Sequence, residues 1–289
     1  MQKLTEGYGL IEGPLWDPAR GLIFSDVLNG GVFCLNHEGQ VSVVFEHRRG
    51  IGGISMHVDG GLIVSGRNIS YKPFDGGTTI TVLDRDEDNG NVGYNDITTD
   101  ASGRIYAGSL GASPVFADGR EPQSGDVYLI GLDGTARVVG HDIKLTNGLA
   151  VSPDGTRLYH SDTGRSTVHC YEIDGDGSLG PKEDFHVFEN GAPDGLCVAE
   201  DGSVFVALAR EGWGVAVINA DGSFREHIRI PQPMCTSVCF GGDDLKDLYI
   251  VSGSDGMPTD KAGAVYKTRS AVAGLPVAPA RVALTGATD

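Results

Sequence analysis

One pattern recurs six times along the chain: a short polar or glycine-rich entry, an apolar run, an Asp/Gly turn and a second β-rich run. The copies read EGPLWDPARGLIFSD (12–26), GISMHVDGGLIVSG (53–66), NDITTDASGRIYAGS (95–109), NGLAVSPDGTRLYHSD (147–162), DGLCVAEDGSVFVAL (194–208) and TSVCFGGDDLKDLYIVS (236–252). Their first residues are separated by 41, 42, 52, 47 and 42 positions. A second series of strand-like runs lies between them, at 32–35, 80–83, 127–130, 168–171, 215–218 and 264–267. Each repeat is thus two hairpins of short strands, which is the content and period of a propeller blade. No 3.6-residue apolar period of helical length competes with it, and two unrelated β-sandwiches would not give six matched repeats. The 44 glycines in 289 residues are about twice ordinary usage and supply the turns. The expected fold is all-β: a six-bladed β-propeller with a central metal site, residues 1–289 forming one domain. Residues 1–11 are expected to supply the outer strand that closes the last blade.

Aligning the copies brings Glu12, Gly53, Asn95, Asn147, Asp194 and Thr236 into register at the start of the innermost strands. Innermost strands line a propeller's channel, so these residues should ring one mouth. Two carboxylates and two amides then converge, and clustered carboxylates repel unless a cation or shared proton compensates them. Oxygen-only donors suit a hard divalent cation, and the absence of His and Cys from the ring argues against a thiolate or histidine zinc site. Asn-Gly and Asp-Gly are ordinary turn dipeptides when met singly; four polar residues in register are a stronger signal.

The first two strands of a blade run antiparallel, so the connections after the second strands should overhang the same mouth. These are residues 29–31, 67–77, 110–125, 163–167, 210–214 and 254–263, and they offer Arg67, Asn68, Tyr71, Phe116, Arg120, Glu121, Arg210 and Trp213 as pocket candidates. The chain carries 22 basic and 39 acidic residues, a net charge of −17. Such a surface repels phosphate backbones, so no nucleic-acid partner is expected. No apolar run is long enough to span a membrane, and the start MQKLTEGYGLIEGP lacks the apolar core of a signal peptide. The five cysteines (Cys34, Cys170, Cys197, Cys235 and Cys239) form no C-x-x-C pair. Free thiols in a reducing cytoplasm are expected.

The runs EGPLW, TNGLAVSPDG, PDGLCVAEDG and CTSVCFGG resemble the gluconolactonase / senescence marker protein (regucalcin) / luciferin-regenerating enzyme family, from about residue 8 to residue 268. The resemblance implies one catalytic divalent cation in the channel, calcium first, with zinc, manganese or magnesium as alternatives. It implies Glu12, Asn147 and Asp194 as metal ligands, and Asn95 beside the metal in contact with substrate or the metal's water. Two positions depart from the family: Gly93 stands where members acting on sugar lactones often carry a substrate-binding Arg, and Ile97 replaces the Gly that commonly follows Asn-Asp.

The expected chemistry is metal-assisted opening of a lactone or similar small ester. Asp194 would accept the proton of the attacking water and Asn95 would orient substrate or water. Asn95, Asp96, Arg67, Glu121 and Trp213 are the expected substrate contacts. The alternatives are a phosphotriesterase on the same site and a non-catalytic calcium-binding regulatory propeller. His57, His160 and His169 lie in strand runs, where packing is their expected role, and no G-x-S-x-G elbow supports serine catalysis.

Overall fold

The computed structural model describes residues 1–115, 119 and 121–285. Among the described residues, twenty-four strands form six four-stranded antiparallel sheets, and the chain folds as a six-bladed β-propeller. Blade 1 runs from Ile11–Asp17 to Val41–Phe45, blade 2 from Ile54–His57 to Ile80–Leu83, and blade 3 from Gly93–Thr99 to Ala136–Ile143. Blade 4 runs from Thr146–Val151 to Glu183–Val187, and blade 5 from Ala192–Val198 to Phe224–Arg229. Blade 6 takes three strands from Cys235–Gly241 to Gly263–Arg269, and Gln2–Tyr8 adds the fourth at its outer edge, pairing Gln2 with Lys267 and Tyr8 with Gly263.

One expectation is corrected in blade 2. Its third strand is Ile69–Pro73, and Ile80–Leu83 is the fourth, so the connection over the mouth is only 65–68 rather than 67–77. The segment ISYKP reads as loop because proline normally interrupts a ladder. Here Pro73 ends the strand, while Ile69, Ser70 and Tyr71 are buried.

Apolar residues are packed between the blades. Each of six buried clusters joins neighbouring sheets. Between blades 5 and 6, for example, Phe205 meets Phe240 edge-on at 4.9 Å. Fully burying such a side chain contributes roughly 1.5–3 kcal/mol. This stacking fixes the blades radially and brings their first strands around a common channel.

After blade 6 the chain crosses the face opposite the predicted mouth. Backbone N–H groups of Gly274, Leu275, Ala280, Arg281 and Ala283 donate to carbonyls of Leu245, Val198, Met56, Gly103 and Leu132, tying blades 6, 5, 2 and 3 together. Ala280 and Val282 are fully buried there. All five cysteines are free. Among the described residues, no helix is long and apolar enough to cross a membrane.

Candidate functional site

Five of the six first strands carry a register shift where they reach the channel. The shifts fall between Glu12 and Leu15, Tyr94 and Ile97, Thr146 and Leu149, Pro193 and Leu196, and Cys235 and Ser237. A bulge re-aims side chains that regular alternation would leave in the sheet face. It is the local device that presents Glu12, Asn95, Asn147 and Asp194. Blade 2 pairs without a shift and contributes Gly52 and Gly53 instead. A Cβ on Gly52 would overlap the Asn95 Oδ1 atom, so glycine there makes room for the Asn95 amide.

Glu12, Asn147 and Asp194 are nearly buried, at 7 %, 7 % and 4 % exposure. Asn95 Nδ2 donates to the Asn147 Oδ1 at 2.5 Å and to the Thr146 carbonyl at 2.8 Å. Asn147 Nδ2 in turn donates to Thr163 Oγ1 at 2.7 Å, and Thr163 donates to the Pro193 carbonyl at 2.6 Å. Thr163 therefore fixes which end of the Asn147 amide faces the channel. It is presented by Asp162, whose carboxylate accepts from the N–H groups of Lys144, Leu145 and Gly164 and so holds the short turn at 163–165. Thr163 was not singled out from sequence; its signal was the Ser-Asp ending of blade 4's second strand, repeated at Ser25-Asp26 in blade 1.

The electrostatics of this ring are unfavourable as the side chains stand. Burial first, then the nearby Asp194 and Asp96, pushes the Glu12 carboxyl well above the usual range. Burial and then Asp96 do the same to Asp194, against the pull of the Gly195 N–H and Arg210. Glu12 Oε2 and Asp194 Oδ1 are buried without a hydrogen-bond partner. Buried carboxylate oxygens are ordinarily satisfied, so these two orphans leave room for a proton or a cation. Two carboxylates and an amide oxygen fit a hard cation. Among the described residues no group of three or more His, Cys, Asp and Glu side chains forms a metal cage, because half of this set is amide.

Above the ring opens a cavity of about 580 Å³. Glu12, Asn95, Asn147 and Asp194 lie on its lining, together with Arg67 and Arg210 from the overhanging connections. Other expected contacts stand elsewhere. Asp96, the neighbour of Asn95, faces a second cavity of about 300 Å³ on the far side of the ring, floored by tail residues 275–278. Burial raises its carboxyl to about 7, and its Oδ2 has no hydrogen-bond partner. Trp213 stands off the mouth lining: its backbone N–H donates to the Pro233 carbonyl and its ring lies under Arg229 at 5.1 Å. Glu121 is exposed and away from the lining. Asn68 accepts from Arg48, and Tyr71 is buried with its hydroxyl on the Asp59 carbonyl at the opposite end of blade 2. Phe116 and Arg120 lie outside the described residues.

Gly93 also lines the mouth cavity. Its φ is 154°, and a Cβ there would lie 2.6 Å from the Gly66 carbonyl. A long side chain at 93 would thus displace the Arg67 turn. His57, His160 and His169 are all buried in blades; His57 Nε2 meets the Val282 carbonyl of the tail at 3.0 Å.

Fold and site together define a class, a six-bladed propeller with a polar oxygen ring beneath a ligand-sized cavity. The chain belongs to the SMP-30/Gluconolactonase/LRE-like family, whose model matches residues 10–254. It is 28% identical to 6-deoxy-6-sulfogluconolactonase of Pseudomonas putida, over 91% of this chain and 92% of that protein. It is 26% identical to regucalcin of Gallus gallus, over 95% and 96%. The solved structure of luciferin-regenerating enzyme shares the fold with a TM-score of 0.85 at 24% identity, covering 96% of this chain and 97% of that one.

Proposed function

We propose that this protein is a divalent-cation-dependent lactonase that opens a small cyclic ester in the mouth cavity. The observation that carries the reading is the pair of buried, unpartnered carboxylate oxygens, Glu12 Oε2 and Asp194 Oδ1, at the floor of that cavity. The family and the lactone-opening activity named for the Pseudomonas putida relative support the choice of substrate. Glu12, Asn147 and Asp194 would hold the cation, calcium first by its preference for oxygen donors. When bound, the ion supplies Lewis-acid polarisation of the ester carbonyl.

The residues themselves do the rest. Asn95 is fixed by two hydrogen bonds and by the space over Gly52, so its remaining carbonyl end orients substrate or water. Asp194 takes a proton as water attacks the carbonyl carbon, and returns it to the ring oxygen as the C–O bond breaks. The cavity walls keep the ester against this floor.

The test is a pH-indicator assay on a panel of lactones and on paraoxon, with and without chelator. Chelator-sensitive opening of at least one lactone is expected. Faster turnover of paraoxon than of every lactone would make the protein a phosphotriesterase. Cation binding with no turnover of any compound would make it a binding propeller.

A further inference from the structure

The walls of the mouth cavity carry a charge opposite to that of the whole protein. Among the described residues, four arginines line it. Arg49 and Arg85 come from the connections between blades 1 and 2 and between blades 2 and 3. Arg67 comes from the turn over blade 2, and Arg210 from the turn over blade 5 on the opposite wall. Against them stand Asp255 and, on the floor, Glu12 and Asp194. The floor pair belongs to the proposed cation site, whose ion would balance it. Arg49 apart, what remains among the described residues is the guanidiniums of Arg67, Arg85 and Arg210 and one carboxylate, in a chain of net charge −17.

Local pairing does not remove this excess. Arg67 and Arg85 share one carboxylate, that of Glu87, which Arg85 holds closely and Arg67 reaches only at 3.9 Å. The Arg67 side chain is 74% exposed. The Arg49 Nε–H donates to the Leu28 carbonyl, which holds that guanidinium at the rim. Arg210 stands near enough to Asp194 to favour its ionised form. Guanidinium forks match the oxygens of phosphate, sulfonate and carboxylate groups. A neutral polyol could accept hydrogen bonds from these guanidiniums but would not balance their charge, and in an acidic protein a local positive field concentrates anions at the mouth.

We propose, resting on the lactonase reading above, that the substrate is an anionic lactone whose phosphate, sulfonate or carboxylate group is drawn in and balanced by the wall arginines Arg67, Arg85 and Arg210. The test compares δ-gluconolactone with its 6-phosphate, its 6-sulfonate and the carboxylate-bearing D-glucaro-1,4-lactone, using calcium-loaded protein at low salt. At least one anionic lactone should exceed the neutral one in kcat/KM by about tenfold or more, equivalent to about 1.4 kcal/mol. Which one leads identifies the anionic group. The preference should shrink with added salt and in Arg67→Gln and Arg210→Gln. It should hold in Arg225→Gln, which alters a surface pair with Asp201. A neutral lactone turned over as well as all three anions, or a preference unchanged in both cavity variants, would overturn the proposal. Calorimetry separates its failure from that of the lactonase reading. Tenfold tighter binding of 6-phosphogluconate than of gluconate, without turnover of any lactone, would sink the lactonase reading and leave the anion site standing.

Discussion

Restoring a divalent cation to chelator-treated protein is expected to raise its melting temperature. Glu12 and Asp194 bury carboxyl oxygens that meet no donor, and each carboxyl is raised by burial and by acidic neighbours. A cation converts that repulsion into attraction. It does so only in the folded state, because residues 12, 147 and 194 meet only there. Mass action sets the size: at a free-ion concentration 100 times Kd the gain is about 2.7 kcal/mol. Unfolding entropy of about 2.1 cal/mol/K per residue, over 289 residues, comes to about 0.6 kcal/mol/K. The melting temperature should therefore rise by about 4 °C. Differential scanning fluorimetry with calcium, zinc, manganese and magnesium in turn measures it. Protons compete for the same oxygens, so the rise should shrink as pH falls from about 8 to about 5. Glu12→Gln should melt higher than the wild type in chelator, because it removes one repelling charge, and should respond weakly to cations. No shift with any of the four ions, or a full shift in a Glu12→Gln/Asp194→Asn double variant, would refute the reasoning.

Three other outcomes are expected. Burial, then the neighbouring His169, pulls His160 down to about 3. The folded chain thus keeps it neutral while the unfolded chain protonates it below about 6.5. Its contribution is present above that pH and is lost toward pH 3, by up to about 1.4 kcal/mol per pH unit; urea titrations at several pH values should show a flatter slope in His160→Gln. Thr163→Val removes the acceptor of Asn147 Nδ2, so cation affinity and kcat/KM should each fall by about tenfold, the usual cost of losing an outer-shell partner, with an unchanged circular dichroism spectrum. Truncation after Arg269 removes the buried Ala280 and Val282 and should cost about 2–4 kcal/mol, read as a lower denaturation midpoint.

The blade count and the ring were legible because both rest on periodicity. Turn residues recur at the blade spacing, and aligning the copies put Glu12, Asn95, Asn147 and Asp194 in one register without any knowledge of contacts. What periodicity cannot carry is direction. Asp96 follows Asn95 immediately, yet the two face different cavities, because a bulge breaks the alternation between Tyr94 and Ile97. Trp213 was an expected substrate contact because nothing local in sequence shows that its ring pairs with Arg229, a strand away. Thr163 acts through Asn147, and its one local signal, the preceding Ser-Asp, marks the turn without saying which side chain the threonine meets. The Ile69–Pro73 strand was hidden by its proline, and the tail by having no repeat to match.

The closure of blade 6 also sets a clock for the site. Gln2 must wait for Lys267 before it finds its partner. At about 5–20 residues per second of synthesis that wait is roughly 15–50 s. Until then the first strand offers an unpaired edge to chaperones and to other nascent chains. Glu12 leaves the ribosome long before Asp194, so the two carboxylates spend that interval apart and in water, where neither has reason to hold an ion. Cation uptake is accordingly an event of the finished ring, and the rate at which activity appears on refolding should follow ring closure rather than metal encounter.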